Sequence, residues 1–275
     1  MSAPLAARLL PTRMVEKPWG CAALPPPFTG RGSGMIGEVW FEPPEEAAGL
    51  LAKYIFTSEK LSVQVHPDDD QALTAGLGQA GKEECWLVID AQPGARLGIG
   101  FDAHHPADSL RAAALDGTIE QLLTWHPVVA GDFFYIPANT VHAIGAGVSL
   151  IEVQQNSDVT YRLYDYGRPR ELHLDAGLAV AKGEPYPVDL HRKLSERGTV
   201  SLVEGPLFRL VRCDGLPPAE LRDAFSAAPV LVIPLSGAVK VGDLTVPPGA
   251  GAIAAGLADL TVPPGTLCLA AQDCR

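Results

Sequence analysis

Twenty-eight glycines and 25 prolines cut this chain into short runs, most of them too short to continue as helices. The runs are rich in β-branched and aromatic residues, as in Tyr54-Ile-Phe, Cys85-Trp-Leu-Val-Ile, Gly131-Asp-Phe-Phe-Tyr-Ile and Val148-Ser-Leu-Ile-Glu-Val. Strand-type runs at this spacing, with turn residues between them, predict a β-sandwich or barrel. Helical patterning is confined to insertions, chiefly residues 106–115 and 118–124, with Asp108 and Thr118 expected as caps. We expect this excursion, near 104–125, to roof a pocket.

A chain of 275 residues, 47% of them hydrophobic, can bury one large or two modest cores, and two is the expectation. The polar, proline-containing stretch Lys182-Gly-Glu-Pro-Tyr-Pro-Val-Asp-Leu190 marks the boundary, dividing residues 1–185 from 186–275. The second part also reads as strands and turns, from Val230-Leu-Val-Ile to two Val-Pro-Pro-Gly turns beginning at Val246 and Val262. Beyond His191 it contains no histidine, so we expect it to be metal-free.

With 21 basic against 32 acidic residues, a formal net charge of −11 argues against nucleic acid or an anionic membrane as partner. An anionic substrate would need a locally basic pocket. The stretch Met1–Leu10 has no apolar core with a cleavage site, and nowhere do 18 uncharged apolar residues run together, which reads as a soluble, cytoplasmic protein. The five cysteines (Cys21, Cys85, Cys213, Cys268, Cys274) are odd in number and lack a C-x-x-C pair. Reduced thiols are expected, with Cys85 a small buried apolar residue rather than a nucleophile. Monomer and homodimer are both open.

Four residues offer ligands for one divalent metal. In Leu61-Ser-Val-Gln-Val-His66 the period of a strand points Gln64 and His66 to the same face. Glu84 begins an apolar run with one face needing burial, where a carboxylate needs a partner. Glu83 would point to the opposite face. His142 follows a glycine turn, a buried strand Asp132-Phe-Phe-Tyr-Ile136 and a proline-led tight turn. Two neutral imidazoles, one carboxylate and one amide oxygen would leave the ion a net charge of about +1, still a Lewis acid.

The segment Gly131–His142 matches the second metal motif of the cupin fold, a double-stranded jelly roll. Gln64-x-His66 with a distant Glu84 resembles type I mannose-6-phosphate isomerases of the short bacterial form. Further segments agree in order: Lys17-Pro-Trp-Gly, Gly37-Glu-Val-Trp, Gly81-Lys-Glu-Glu-Cys-Trp86 and Gln155-Asn-Ser-Asp-Val-Thr-Tyr-Arg-Leu-Tyr-Asp-Tyr-Gly-Arg168. The resemblance covers about the first two thirds of the chain. It implies a mainly β protein of two cupin-type jelly-roll barrels with a few helical insertions, the first barrel metal-binding and catalytic. It implies zinc held by Gln64, His66, Glu84 and His142, although the hard amide donor also suits manganese, cobalt or iron.

The implied reaction interconverts mannose 6-phosphate and fructose 6-phosphate through an enediol-type intermediate. It needs groups that stabilise negative charge on sugar oxygens and a group that carries the proton. By motif, Arg162 matches the family's catalytic arginine, Lys82 an active-site lysine, and Glu152 and Asp158 acidic positions lining its pocket. Glu152, Lys82 and a metal-bound hydroxide remain open as proton carrier. Arg168 and Arg170 are candidate phosphate anchors, against the plainer reading of a solvated turn. His104, His105, His126, His173 and His191 read as packed or hydrogen-bonded histidines, Trp19, Trp40 and Trp86 as core, and Asp68–Asp70 as a helix cap. The alternative from another class is a non-catalytic sugar-phosphate-binding or regulatory cupin.

Overall fold

In a computed structural model of the chain, which describes residues 5–30 and 33–275, every residue of the strand Leu50–Phe56 is buried, with Lys53 at its centre. Met1 to Pro4, the start of the N-terminal stretch read above, lie outside the described residues.

That burial follows from the strand's place in a stack of sheets. It belongs to a seven-stranded antiparallel sheet ordered His191–Lys193, Asp132–Ile136, Glu84–Ala91, Val148–Gln155, Leu50–Phe56, Ile36–Phe41, Thr12–Cys21. One face packs on a five-stranded sheet ordered Tyr161–Tyr164, Val63–Val65, His142–Ile144, Arg96–Phe101, Leu123–Pro127. The other packs on a six-stranded sheet that includes Phe208–Asp214, Val230–Ser236 and Leu267–Asp273.

The period of two then sorts the sequence between two cores. Leu50, Ala52, Tyr54 and Phe56 join the core toward the six-stranded sheet, with Leu210, Leu231 and Leu269. Ile55 joins the core toward the five-stranded sheet, with Leu97, Ile99 and Ile144. Lys53 takes the same side as Ile55. Along Glu84–Ala91, Cys85 and Leu87 go one way and Trp86 and Val88 the other. Two buried faces explain why these strands read as nearly unbroken apolar runs, and why each polar interruption needs a purpose.

The chain is mainly β, as its turn-punctuated sequence predicts. Past residue 185 it returns to the seven-stranded sheet, with Tyr186 in the core and His191–Lys193 pairing with Asp132–Ile136. The six-stranded sheet carries a further apolar layer on its outer face, including Val211, Val232 and Val241. Its edge strand Arg8–Leu9 comes from the N-terminal region. Both Val-Pro-Pro-Gly segments are turns, closed by Ala250 N–H to Pro247 O and Thr266 N–H to Pro263 O.

The helices differ from expectation. Ala107–Asp116, Ile119–Leu122 and Leu174–Val180 pack Leu110, Ala113, Ile119 and Leu178 on Val63, Val65 and Leu163, behind the five-stranded sheet. They brace the wall of the pocket instead of roofing it. Asp108 lies inside the first turn after Pro106, and Thr118 donates its hydroxyl to Asp116, so neither caps a helix with its side chain. Asp68 does cap Asp69–Thr74, in a reciprocal capping box with Gln71. No described helix is long and apolar enough to cross a membrane.

Candidate metal centre

Strand register assembles the site. Gln64 lies directly opposite His142 on one neighbouring strand and opposite Arg162 on the other. Glu84 reaches the same place from the facing seven-stranded sheet. His66, Glu84 and His142 are buried, and their donor atoms lie within 4.8 Å of one another. Glu84 Oε2 is 3.6 Å from His66 Nε2, and Oε1 is 3.4 Å from His142 Nε2.

Backbone carbonyls orient both imidazoles. His66 Nδ1 is 2.8 Å from Val159 O, and His142 Nδ1 is 2.9 Å from Thr140 O. Each Nδ1–H therefore donates outward, leaving the Nε2 lone pair for the cluster, the tautomer a metal ligand requires. Burial, and then Lys82, holds both rings below the ordinary histidine pKa, with His142 at about 4. Both are neutral at physiological pH. The Gln64 amide is 3.2 Å from His142 Nε2, and half a turn of it would present its oxygen instead of its nitrogen.

Glu84 is the least satisfied group. Neither carboxylate oxygen accepts a hydrogen bond of good geometry, although Lys82 Nζ sits 2.6 Å from Oε2 as an ion pair. Burial, followed by repulsion from Glu152, raises its pKa to about 7 against the pull of Lys82 and Lys53. Lys82 Nζ also lies 3.1 Å from His66 Nε2, so an ammonium stands among the atoms that would bind a cation. Two neutral imidazoles, an orphaned buried carboxylate and an amide fit a divalent metal.

A cavity of about 360 Å³ opens beside the cluster, lined in part by Gln64, Lys82, Glu152, Asp158 and Arg162. All four residues singled out for chemistry thus meet at one surface. Glu152 Oε1 is 2.9 Å from Lys53 Nζ and 3.6 Å from Lys82 Nζ, and Oε2 accepts from Trp86 Nε1–H at 2.9 Å. Burial alone would raise the Glu152 pKa, but Lys53 and then Lys82 reverse that and bring it to about 2. Arg162 Nη1 donates to Glu171 O at 2.8 Å, and burial lowers its proton affinity.

Other expectations resolve unevenly. Glu83 points away from the cluster and accepts from the Tyr135 hydroxyl. Cys85 is buried, which pushes its thiol pKa up. His104, His105, His173 and His191 are hydrogen-bonded and His126 packs on Phe134, but His173 also lines the cavity. Trp19 and Trp86 are core, whereas Trp40 is half-buried, its Nε1–H on Glu38 and the Arg13 guanidinium over its ring, because an edge-proximal strand leaves that side open.

Arg168 does not line the cavity, and Arg170 does. Sequence reasoning missed Lys53, and gave Lys17 and Glu38, each inside a matched segment, no role. Lys17 Nζ is 3.3 Å from Glu38, and both line the cavity. The signal was available, since a lone lysine in Leu50-Leu-Ala-Lys-Tyr-Ile-Phe56 demands a buried partner.

No family model matches the chain. Mannose-6-phosphate isomerase of Streptococcus mutans is 42% identical over 171 residues, 59% of this chain and 54% of that protein. The chain thus spans about half the length of that relative. The putative mannose-6-phosphate isomerase YvyI of Bacillus subtilis is 31% identical over 262 residues, 86% of this chain and 82% of that protein. The crystal structure of mannose 6-phosphate isomerase from Bacillus subtilis superposes with a TM-score of 0.80 at 26% identity, covering 98% of this chain and 100% of that one. A zinc-bound mannose 6-phosphate isomerase shares the fold at a TM-score of 0.73 and 14% identity, over 98% of this chain and 100% of that one. Sequence likeness over most of the chain, the same fold and a buried His-Glu-His cluster agree, and the chain belongs to the mannose-6-phosphate isomerase family.

Proposed function

We propose that this protein is a metal-dependent aldose–ketose isomerase that interconverts mannose 6-phosphate and fructose 6-phosphate. The observation that carries the reading is the convergence of His66, Glu84 and His142 beside a cavity lined by Lys82, Glu152, Asp158 and Arg162. Gln64, His66, Glu84 and His142 would hold the ion, with zinc as the expected metal. When bound, it supplies Lewis-acid polarisation of substrate oxygens.

Isomerisation of the open aldose removes the proton on C2, adds one to C1 and shifts a hydroxyl proton from O2 to O1, with no net gain or loss. Arg162, charged and without a carboxylate partner among the described residues, holds the oxygens on which negative charge develops. Lys82 and Glu152, 3.6 Å apart, are the pair between which a proton can pass. Trp86 N–H and Lys53 fix Glu152 in place, and Asp158 offers an acceptor to sugar hydroxyls. The division at residue 185, a cytoplasmic location and a monomeric or homodimeric state belong to the same proposal.

The test is turnover of mannose 6-phosphate on metal-stripped protein before and after adding zinc. Activity restored by zinc establishes reaction and metal together. Silence with zinc bound and saturable sugar-phosphate binding would make the protein a non-catalytic binding cupin.

A further inference from the structure

The segment Asp158–His173 lines the cavity through several residues, and two arginines within it have opposite fates. Arg168 is consumed by structure: Nη1 donates to Asp165 Oδ1 at 3.1 Å, and Nη2 to Glu59 Oε2 at 3.0 Å and Lys60 O at 2.8 Å. Arg170 is clamped along one edge only. Its Nε and Nη2 donate to Asp165 Oδ2 and Oδ1, both at 2.6 Å, and Nη1 has no hydrogen-bond partner among the described residues.

Asp165 is placed to do this. It is 2% exposed and precedes two successive left-handed residues, Tyr166 at φ 55° and Gly167 at φ 76°, in a turn closed by Arg168 N–H to Asp165 O. The carboxylate meets both guanidiniums from this turn. A charged, planar group held along one edge is pre-organised to donate from its other edge, at little further entropic cost.

Two guanidiniums on the cavity wall are placed to meet an anion. Arg170 and Arg162 both line the cavity, and Arg162 has no carboxylate within ion-pair distance among the described residues. Proximity to Arg170 adds to the burial that lowers the proton affinity of Arg162. A chain of net charge −11 repels a phosphate monoester at long range, and the cavity lining holds as many carboxylates (Glu38, Glu152, Asp158, Glu171) as cations, so capture depends on individual guanidinium donors and not on net charge.

We infer that Arg170 grips the phosphate group of the sugar-phosphate substrate, and that Asp165 is the positioning residue that holds its guanidinium with Nη1 free. This rests on the isomerase reading above and adds the residues that recognise the phosphate end. Arg168 is assigned to the turn and not to the ligand.

The experiment pairs steady-state kinetics on mannose 6-phosphate with calorimetric binding of inorganic phosphate to the zinc-loaded protein. Arg170→Gln should raise KM about 10- to 100-fold, with the smaller part of the change in kcat, and should weaken phosphate binding in parallel. Arg170→Lys should recover part of the loss. Asp165→Asn should move KM in the same direction, and Arg168→Gln should leave KM within about two-fold while lowering thermal stability. Were the wild type silent toward mannose 6-phosphate, loss of phosphate binding in Arg170→Gln would still establish the anion site and overturn only the isomerase reading. A folded Arg170→Gln protein with unchanged KM and unchanged phosphate affinity would overturn the inference.

Discussion

Lys53 and Glu152 are direct cross-strand partners in the seven-stranded sheet, and their charged ends meet at 2.9 Å inside the protein. Removing one member of such a pair strands the other without solvent. Lys53→Met should therefore cost about 3–5 kcal/mol of unfolding free energy, measured by urea titration of metal-stripped protein. Lys53→Arg, which keeps the charge, should cost less.

Glu84 and the two cluster histidines should pull the stability of the metal-stripped protein in opposite directions as pH rises. The folded pKa of Glu84 is raised from 4.5 to about 7, so between those values the folded state holds a proton that the unfolded chain has released. Its own contribution then falls with rising pH across that window, whereas His66 and His142, both held below the usual 6.5, take up protons on unfolding and add stability as pH rises toward 6.5, the two together outweighing the one carboxylate. Glu84→Gln should therefore steepen the rise of stability between pH 4.5 and 6, and saturating zinc should steepen it further, because a cation favours the ionised carboxylate and the neutral imidazoles. Urea midpoints at pH 4.5, 6 and 7.5 would check this.

Neighbouring glutamates should separate cleanly. Glu84→Gln and His142→Ala should each reduce bound zinc from one per chain to near zero after dialysis, by elemental analysis. Glu83→Gln only weakens a contact with Tyr135, away from the cluster, and should retain the metal.

Arg162→Ala should lower kcat by about 10²- to 10³-fold, as expected for loss of a charged group that stabilises an oxyanion. Metal content should be unchanged, since Arg162 makes no contact with His66, Glu84 or His142 within hydrogen-bond range. An Arg162→Ala enzyme with wild-type turnover would remove this residue from the mechanism.

Strand periodicity is a local rule, so a period of two placed Gln64 and His66 on one face and allowed only one of Glu83 and Glu84 to join them, and the likeness of the segment Gly81–Trp86 chose Glu84. The helical insertion was legible as helix but not as to location, because nothing in residues 106–124 says which face of the five-stranded sheet they cover. Cap prediction failed at Thr118 because a nearer acceptor, Asp116, won its hydroxyl. Lys53 escaped notice for a different reason. Its partner lies 99 positions away, and only the register of the sheet joins it to Glu152. Arg168 and Arg170 are equivalent in sequence and share Asp165, and what separates them is more than a hundred positions away, where Glu59 and the Lys60 carbonyl take up Arg168 alone.

The central strands of the seven-stranded sheet turn neither face to water. The sheet's far side, with Phe41, Tyr54, Leu87 and Phe133, is covered by residues from the last third of the chain. A shortened protein ending before Val200 would keep every residue of the metal cluster and cavity, yet it would lay bare a broad apolar slab, a surface that drives chains to associate. The C-terminal third contributes no residue to the cluster, yet it is what keeps that slab from water and from other chains.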